Sequence, residues 1–351
     1  MSLQSDINVD ASRFAPSSIT QKTKALNENI LKALDGAPKW WEIGAHAYRR
    51  LRKEGGTAFP KPVVLDTAKT LQLPSRDAGR TIPLRVVRPK DGSAIKGVYA
   101  HIHGGGFVLG DEEAQDVPLQ WMADATSLTV VSIGYRLAPE NPYPAGPEGL
   151  LRCGRLSSEE RQSGIWRGSY VHRRRGTGTR IVQFRTLVNN FQLAGAHLTT
   201  VSTLHLLESQ PNFSLRGVIL HYGTYEMASF FPSVHLFNRA HILDKPRIDQ
   251  FLIAFLGEKS EAERRDPRIS PFYADFSGLR LPPALFTCGT EDPLLDDTVF
   301  MSTKRAAAGA EAVVKIYPGA PHGFTMFEAA SCEPTADALQ IVEKFLVEKS
   351  K

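Results

Sequence analysis

Three short stretches carry residue types that could do chemistry together. His103-Gly104-Gly105-Gly106 directly follows the apolar run Val98–Ile102. Consecutive glycines let the backbone turn sharply and aim its N–H groups at one point, where a developing negative oxygen can be held. A plain glycine turn is the bland alternative, and a phosphate cradle fits less well because neither a GxGxxG nor a GK[ST] spacing is present. Thr290-Glu291-Asp292-Pro293-Leu294 follows the run Ala284–Cys288, and His322-Gly323-Phe324 follows the run ending at Tyr317. A lone loop Asp is most often a cap, and a lone His is most often structural. Placed at successive strand ends, they supply the orienting carboxylate and the general base of acyl transfer, in the chain order nucleophile, acid, base. Such a site needs no metal and no organic cofactor.

The elements that must position these residues can be read from periodicity. Residues 1–60 read as polar and helical, with apolar residues at three- and four-residue spacing over Ala25–Leu34 and Trp40–Leu51 before the break at Gly55-Gly56, a pattern suited to a lid or docking pair. From Pro62 the texture changes. Val63–Leu65, Ile82–Arg88, Gly97–His103 and Leu128–Tyr135 are short strand-like runs, and the last two lack alternation, as strands buried on both faces do. Gly195–Glu208 reads as a helix, Gly217–Tyr222, Ala284–Cys288 and Ala312–Tyr317 as strands, and Thr335–Glu348 as a closing amphipathic helix. Strands alternating with helices predict one α/β domain over 61–351 with helices on both faces. No internal repeat is visible.

On these motifs the chain resembles the hormone-sensitive-lipase branch of the α/β-hydrolase esterases. The residues that carry the resemblance are His103-Gly104-Gly105-Gly106-Phe107, Tyr135-Arg136-Leu137-Ala138-Pro139-Glu140, Pro144-Ala145-Gly146-Pro147-Glu148, Ser270-Pro271 with Tyr273-Ala274, Gly289-Thr290-Glu291-Asp292-Pro293-Leu294, and His322-Gly323-Phe324. They span about residues 60–148 and 194–350. The resemblance implies an eight-stranded, mostly parallel sheet and a helical cap made by residues 1–60 with a segment near 225–265. It further implies hydrolysis of short-chain carboxylic esters, with Asp292 orienting His322 and an oxyanion hole from the N–H groups of Gly104, Gly105 and Ala194. Trp40, Trp41, Phe230, Phe231, Phe251 and Phe255 are candidate pocket liners, although aromatic residues on amphipathic helices are more often core.

The expected nucleophile is missing. The family places a serine in a Gly-x-Ser-x-Gly elbow before a helix, and here Phe191-Gln192-Leu193-Ala194-Gly195 stands in that place. Leu193 occupies the serine position and has no atom able to attack a carbonyl. Phe191 replaces a glycine that permits the tight turn. As written, the chain is expected to be inactive, which leaves a non-catalytic small-molecule-binding pseudo-hydrolase as the alternative.

The stretch Gly149–Gln192 also breaks the pattern: it holds nine arginines, only Glu159 and Glu160 as acids, no lysine, and no clean helical or strand period. It reads as a solvated basic insertion, as a nucleic-acid-binding loop, or as translation in a shifted frame. Degenerate codons for Gly149 onward, read one nucleotide later, give DCYAVADYLARSGKAEFGAEVTFIGGE without a stop. That string is a helix, a strand and the start of an elbow. GGT at Gly176 and TTTCAG at Phe191-Gln192 have the form of an intron's donor and acceptor, and removing the interval restores the frame at Leu193. Even so repaired, position 193 remains Leu, one C-to-T change from a TCG or TCA serine codon.

The chain has 351 residues, 42% hydrophobic and 23% charged, which excludes a disordered or fibrous protein. Its +5 net charge at first points to a polyanionic partner. Yet the arginines of 149–192 account for all of it, since the rest of the chain is slightly acidic, and no nucleic-acid partner is expected. Cys153, Cys288 and Cys332 form no disulfide or metal spacing. With no membrane span and no signal-like start, a cytoplasmic enzyme acting on a small ester is the expectation.

Overall fold

The computed structural model of the chain describes residues 8–75, 77–154, 186–190, 193–210, 213–239 and 241–351. Helices precede the sheet. Thr20 starts α1 (Gln21–Leu34), its hydroxyl accepting the Thr23 N–H, and the helix buries only Thr23 and Ile30. The single helix expected over Trp40–Leu51 is two, α2 (Trp40–Ile43) and α3 (Ala45–Glu54). Gly44 divides them at φ 86° and ψ 143°, a conformation that no helix contains and that glycine alone adopts cheaply.

Val63–Leu65, expected as a strand, is irregular chain. Val63 and Val64 are exposed, and the Leu65 N–H donates to Asp116 Oδ2 at 2.9 Å. The first strand is instead β1 (Lys69–Pro74), a sheet edge that pairs antiparallel with β2 (Thr81–Val87). Then come β3 (Gly97–Ile102), α4 (Asp116–Thr126), β4 (Leu128–Ile133) and α5 (Ala145–Gly154). Pro118 disguises α4 in the sequence, but it sits in the first turn, where a missing N–H costs nothing.

β5 (Thr186–Asn190), α6 (Leu193–Ser209), β6 (Leu215–His221), α7 (Pro232–Leu236), α8 (Lys245–Leu256) and α9 (Glu261–Arg264) follow. β7 (Ala284–Glu291), α10 (Leu295–Ala307), β8 (Ala312–Pro321) and α11 (Glu333–Lys349) close the chain. The eight strands form one sheet in the order β1-β2-β4-β3-β5-β6-β7-β8. β2 runs antiparallel to both its neighbours, and every pairing from β4 to β8 is parallel.

The expected α/β class and strand number are therefore present. β4 is buried at every position, as its lack of alternation implied. One reading is corrected: Gly149–Gln192 does contain regular structure, because α5 runs to Gly154 and β5 fills the slot between β3 and β6. Thr186-Leu187-Val188 is too short a run to show a period, yet the ladder of a parallel sheet needs a strand there. The rest of that stretch, 155–185, lies outside the described residues.

β6 shows how the two faces are filled. Ile219 packs with Leu119 and Met122 of α4 and Val342 and Phe345 of α11, whereas Val218 and Leu220 pack with Leu204 of α6 and Met301 of α10. Successive residues of a strand point to opposite faces, so both faces carry helices.

Candidate active site

The carboxyl ends of the parallel strands present the chemistry. Asp292 follows β7 and His322 follows β8, and these two ends approach closely because Gly289 has no side chain: a Cβ there would lie 1.9 Å from the Ala320 carbonyl oxygen. The ladder shifts register between Gly289 and Glu291 at the same point. Asp292 is buried, with Oδ1 accepting the Leu294 N–H at 2.9 Å and Oδ2 at 2.9 Å from His322 Nδ1. A carboxylate on Nδ1 holds the proton there and leaves Nε2 as the basic nitrogen. The His322 ring is seated edge-on against Tyr222 at 4.8 Å, and the Tyr222 hydroxyl meets Thr325 Oγ1 at 2.5 Å.

The glycine loop leaves β3. His103 is not a second base: it is buried, burial pushes its pKa down, and Nδ1 donates to the Gly104 carbonyl at 2.9 Å. Its ring stacks on Tyr135 at 4.3 Å, and its carbonyl accepts from the Tyr135 hydroxyl at 3.0 Å. Beyond it, Gly105 and Gly106 take φ 110° and 62°. A Cβ on Gly105 would lie 2.1 Å from the Leu109 carbonyl oxygen, and one on Gly106 would lie 2.4 Å from the Phe251 ring. The N–H groups of Gly104 and Gly105 donate to no other described residue, which is what a preformed oxyanion hole requires.

Glycine loop and histidine face one cavity of about 1000 Å³, lined by His103, Gly104, Gly105, Gly106 and His322 together with residues of α2, α3 and α8. Of the aromatic candidates, Trp40, Trp41 and Phe251 line it. Phe255 is corrected to core, stacked on Phe107 at 3.8 Å. Phe230 and Phe231 are not among the lining residues either, and Phe231 packs on Phe272 and Phe300 at 4.9 and 4.8 Å.

β5 ends at Asn190 and α6 begins at Leu193, so a strand, a two-residue link and a helix stand where the elbow is expected. Ala194 is buried in the first turn of α6, where N–H groups lack intrahelical acceptors. Phe191, Gln192 and the Leu193 side chain lie outside the described residues. One positioning residue escaped the sequence reading. Arg49 of α3 donates to the carbonyls of Val108 and Ala138 and grips Glu140 with two bonds of 2.9 Å, tying the helix to the glycine loop. Its signal was Glu140 in the Tyr135–Glu140 motif.

Comparison with known proteins agrees with the fold. A family model described as alpha/beta hydrolase fold matches residues 99–326. The chain is 25% identical over 280 residues to an ethyl acetate hydrolase of Pseudomonas putida, covering 79% of this chain and 82% of that protein. It is 29% identical over 270 residues to the carboxylesterase NlhH of Mycobacterium tuberculosis, covering 76% and 79%. Among solved structures it superposes on a hyperthermophilic esterase from the archaeon Pyrobaculum calidifontis with a TM-score of 0.74 at 23% identity, covering 92% of this chain and 97% of that one. No helix among the described residues is long and apolar enough to cross a membrane.

Proposed function

The chain belongs to the α/β-hydrolase fold family, and we propose that within it the site is that of a hormone-sensitive-lipase-type carboxylic-ester hydrolase acting on a small or short-chain ester. The observation that carries this reading is the 2.9 Å pairing of His322 with Asp292 at the wall of the cavity that also holds the free N–H groups of the glycine loop. The relatives named ethyl acetate hydrolase and carboxylesterase support the substrate class.

In the complete mechanism, a serine hydroxyl at position 193 attacks the ester carbonyl carbon while His322 Nε2 takes its proton. The oxyanion sits on the N–H groups of Gly104, Gly105 and Ala194, and His322 returns the proton to the departing alcohol. Water, deprotonated by His322, then displaces the acyl group as carboxylate and restores the serine. Asp292 orients His322 and stabilises its charged form.

Leu193 removes the first step. The chain as it stands keeps the base, the orienter and the oxyanion donors but forms no acyl-enzyme, and losing a nucleophile costs about a millionfold in turnover. The shifted-frame reading of 149–192, including a retained intron, accounts for the arginine excess in the stretch that leads to this position. Hydrolysis of a short-chain aryl ester tests the proposal. Negligible turnover is expected from the chain with Leu193, and activity is expected when 149–192 is replaced by the shifted-frame sequence without its intron and Leu193→Ser is added. Turnover by the unaltered chain overturns it, as does a spliced transcript that retains every codon of 149–192 for the frame argument.

A second reading, a ligand-binding protein without turnover, is favoured by Leu193 at the expected serine position of a chain that keeps a large cavity. Against it stands the Asp292–His322 pair, which a binder does not need. Tight binding of a small ligand with no turnover after repair would select it.

A further inference from the structure

The cavity over the glycine loop has an uneven charge balance. Among its lining cations, Arg49 is neutralised by Glu140, Lys53 by Asp111 at 2.7 Å, Lys39 by Glu42 at 2.9 Å and Arg247 by Asp244. Arg50, Arg52 and Lys61 line the same space, and none of them has a carboxylate within ion-pair distance among the described residues. Since the chain outside 149–192 is slightly acidic, this local excess is not a sample of the general surface.

Arg52 is the most informative of the three. It is half-buried on α3, donates to the Pro60 carbonyl and lies 5.8 Å from the Phe59 ring, so most of its five donors are uncommitted. Burial pushes its pKa down, with the Asp111 carboxylate, itself paired with Lys53, acting in the other direction. Next to it stands Tyr48, buried on α3, whose hydroxyl bonds to no other described residue. Burial raises the Tyr48 pKa, and the Arg52 guanidinium one helical turn on acts against it. An arginine without a carboxylate partner and a phenol on the same helix face thus line one cavity together with the apolar side chains of Trp40, Trp41 and Phe251.

We propose that this pair is an anion subsite in which Arg52, with Tyr48, takes the carboxylate of a ligand whose apolar body lies against Trp40, Trp41 and Phe251. The inference deepens the reading of the cavity as the substrate site and rests on it: the substrate is an ester that carries a second, ionised carboxyl group. A guanidinium fork matches a carboxylate bidentately, and the tyrosine adds a third donor.

Binding separates this idea from the hydrolytic one, because it requires no nucleophile. The full chain is titrated with 2-naphthoate and with 2-naphthamide, a neutral partner of the same shape, by calorimetry at neutral pH. The carboxylate is expected to bind about tenfold or more tighter than the amide, with the gap narrowing at high salt. Arg52→Gln removes the preference, and Arg52→Lys keeps part of it. Because Arg52 also holds the Pro60 carbonyl, Tyr48→Phe serves as the second variant and narrows the gap independently. Equal binding of acid and amide, no binding of either, or an unchanged preference in both Arg52→Gln and Tyr48→Phe overturns the subsite. The ester-hydrolysis test of the repaired chain is untouched by any of these results.

Discussion

Gly105 shows how completely a single residue can be committed to a loop. Its φ of 110° strains any L side chain, the Leu109 N–H bonds back to its carbonyl at 2.8 Å, and a Cβ would collide with backbone rather than with a side chain that could move. Gly105→Ala is therefore expected to lower stability by about 1–3 kcal/mol, read as a lower urea midpoint. An unchanged midpoint would mean that the loop is free to rearrange, and a preformed oxyanion hole would go with it. At this scale the sequence was most legible. His103, Gly104, Gly105, Asp292 and His322 declare themselves because each requirement is local: a turn, a donor or a strand end. Arg49 does not, because it acts on the glycine loop from a segment distant in sequence, and only folding shows what a guanidinium reaches.

At the scale of elements, the same loop depends on α8. Phe107, at φ 65°, lies flat against Phe255 with the rings 4° from parallel, and Trp40 of α2 stacks on Phe251 at 5.3 Å. α8 thus contacts both the glycine loop and the N-terminal helices. Phe255 is 2% exposed, so Phe255→Ala leaves a cavity beneath the loop and is expected to cost about 3–5 kcal/mol. Thermal melts measure that, and a loss under about 1 kcal/mol would show that α8 is only loosely seated. Element boundaries were less legible than element types. Gly44 breaks a helix whose apolar spacing runs on through it, Pro118 conceals one that it only opens, and Val63–Leu65 has strand composition but gives its Leu65 N–H to Asp116. β5 lies beside an arginine-rich run that hides it. In each case a side chain's tertiary partner, or the sheet's need for a continuous ladder, overrode the local pattern.

For the whole molecule, the buried histidines of the sheet and α6 set the conditions under which the site exists. His101 on β3, His221 on β6 and His197 on α6 are fully buried, and burial pushes their pKa values down to about 3, about 3 and about 4. Each stays neutral in the folded chain while the same side chain in the unfolded chain protonates below about pH 6.5. The unfolded state then binds more protons, so stability is full above that pH and falls as the solution is acidified toward the depressed values. Each histidine contributes up to about 1.4 kcal/mol per pH unit in that window. The urea midpoint is expected to hold between pH 8 and 7 and to drop steeply from pH 6.5 to 5, and His197→Gln is expected to flatten the slope. All three side chains flank the central strands that carry the glycine loop and the start of α6, so acid should open the catalytic face with the fold, and hydrolysis by a repaired chain should fall over the same pH range as the midpoint. A midpoint independent of pH across that range, or a His197→Gln variant with the parent's slope, would remove the histidines from this role.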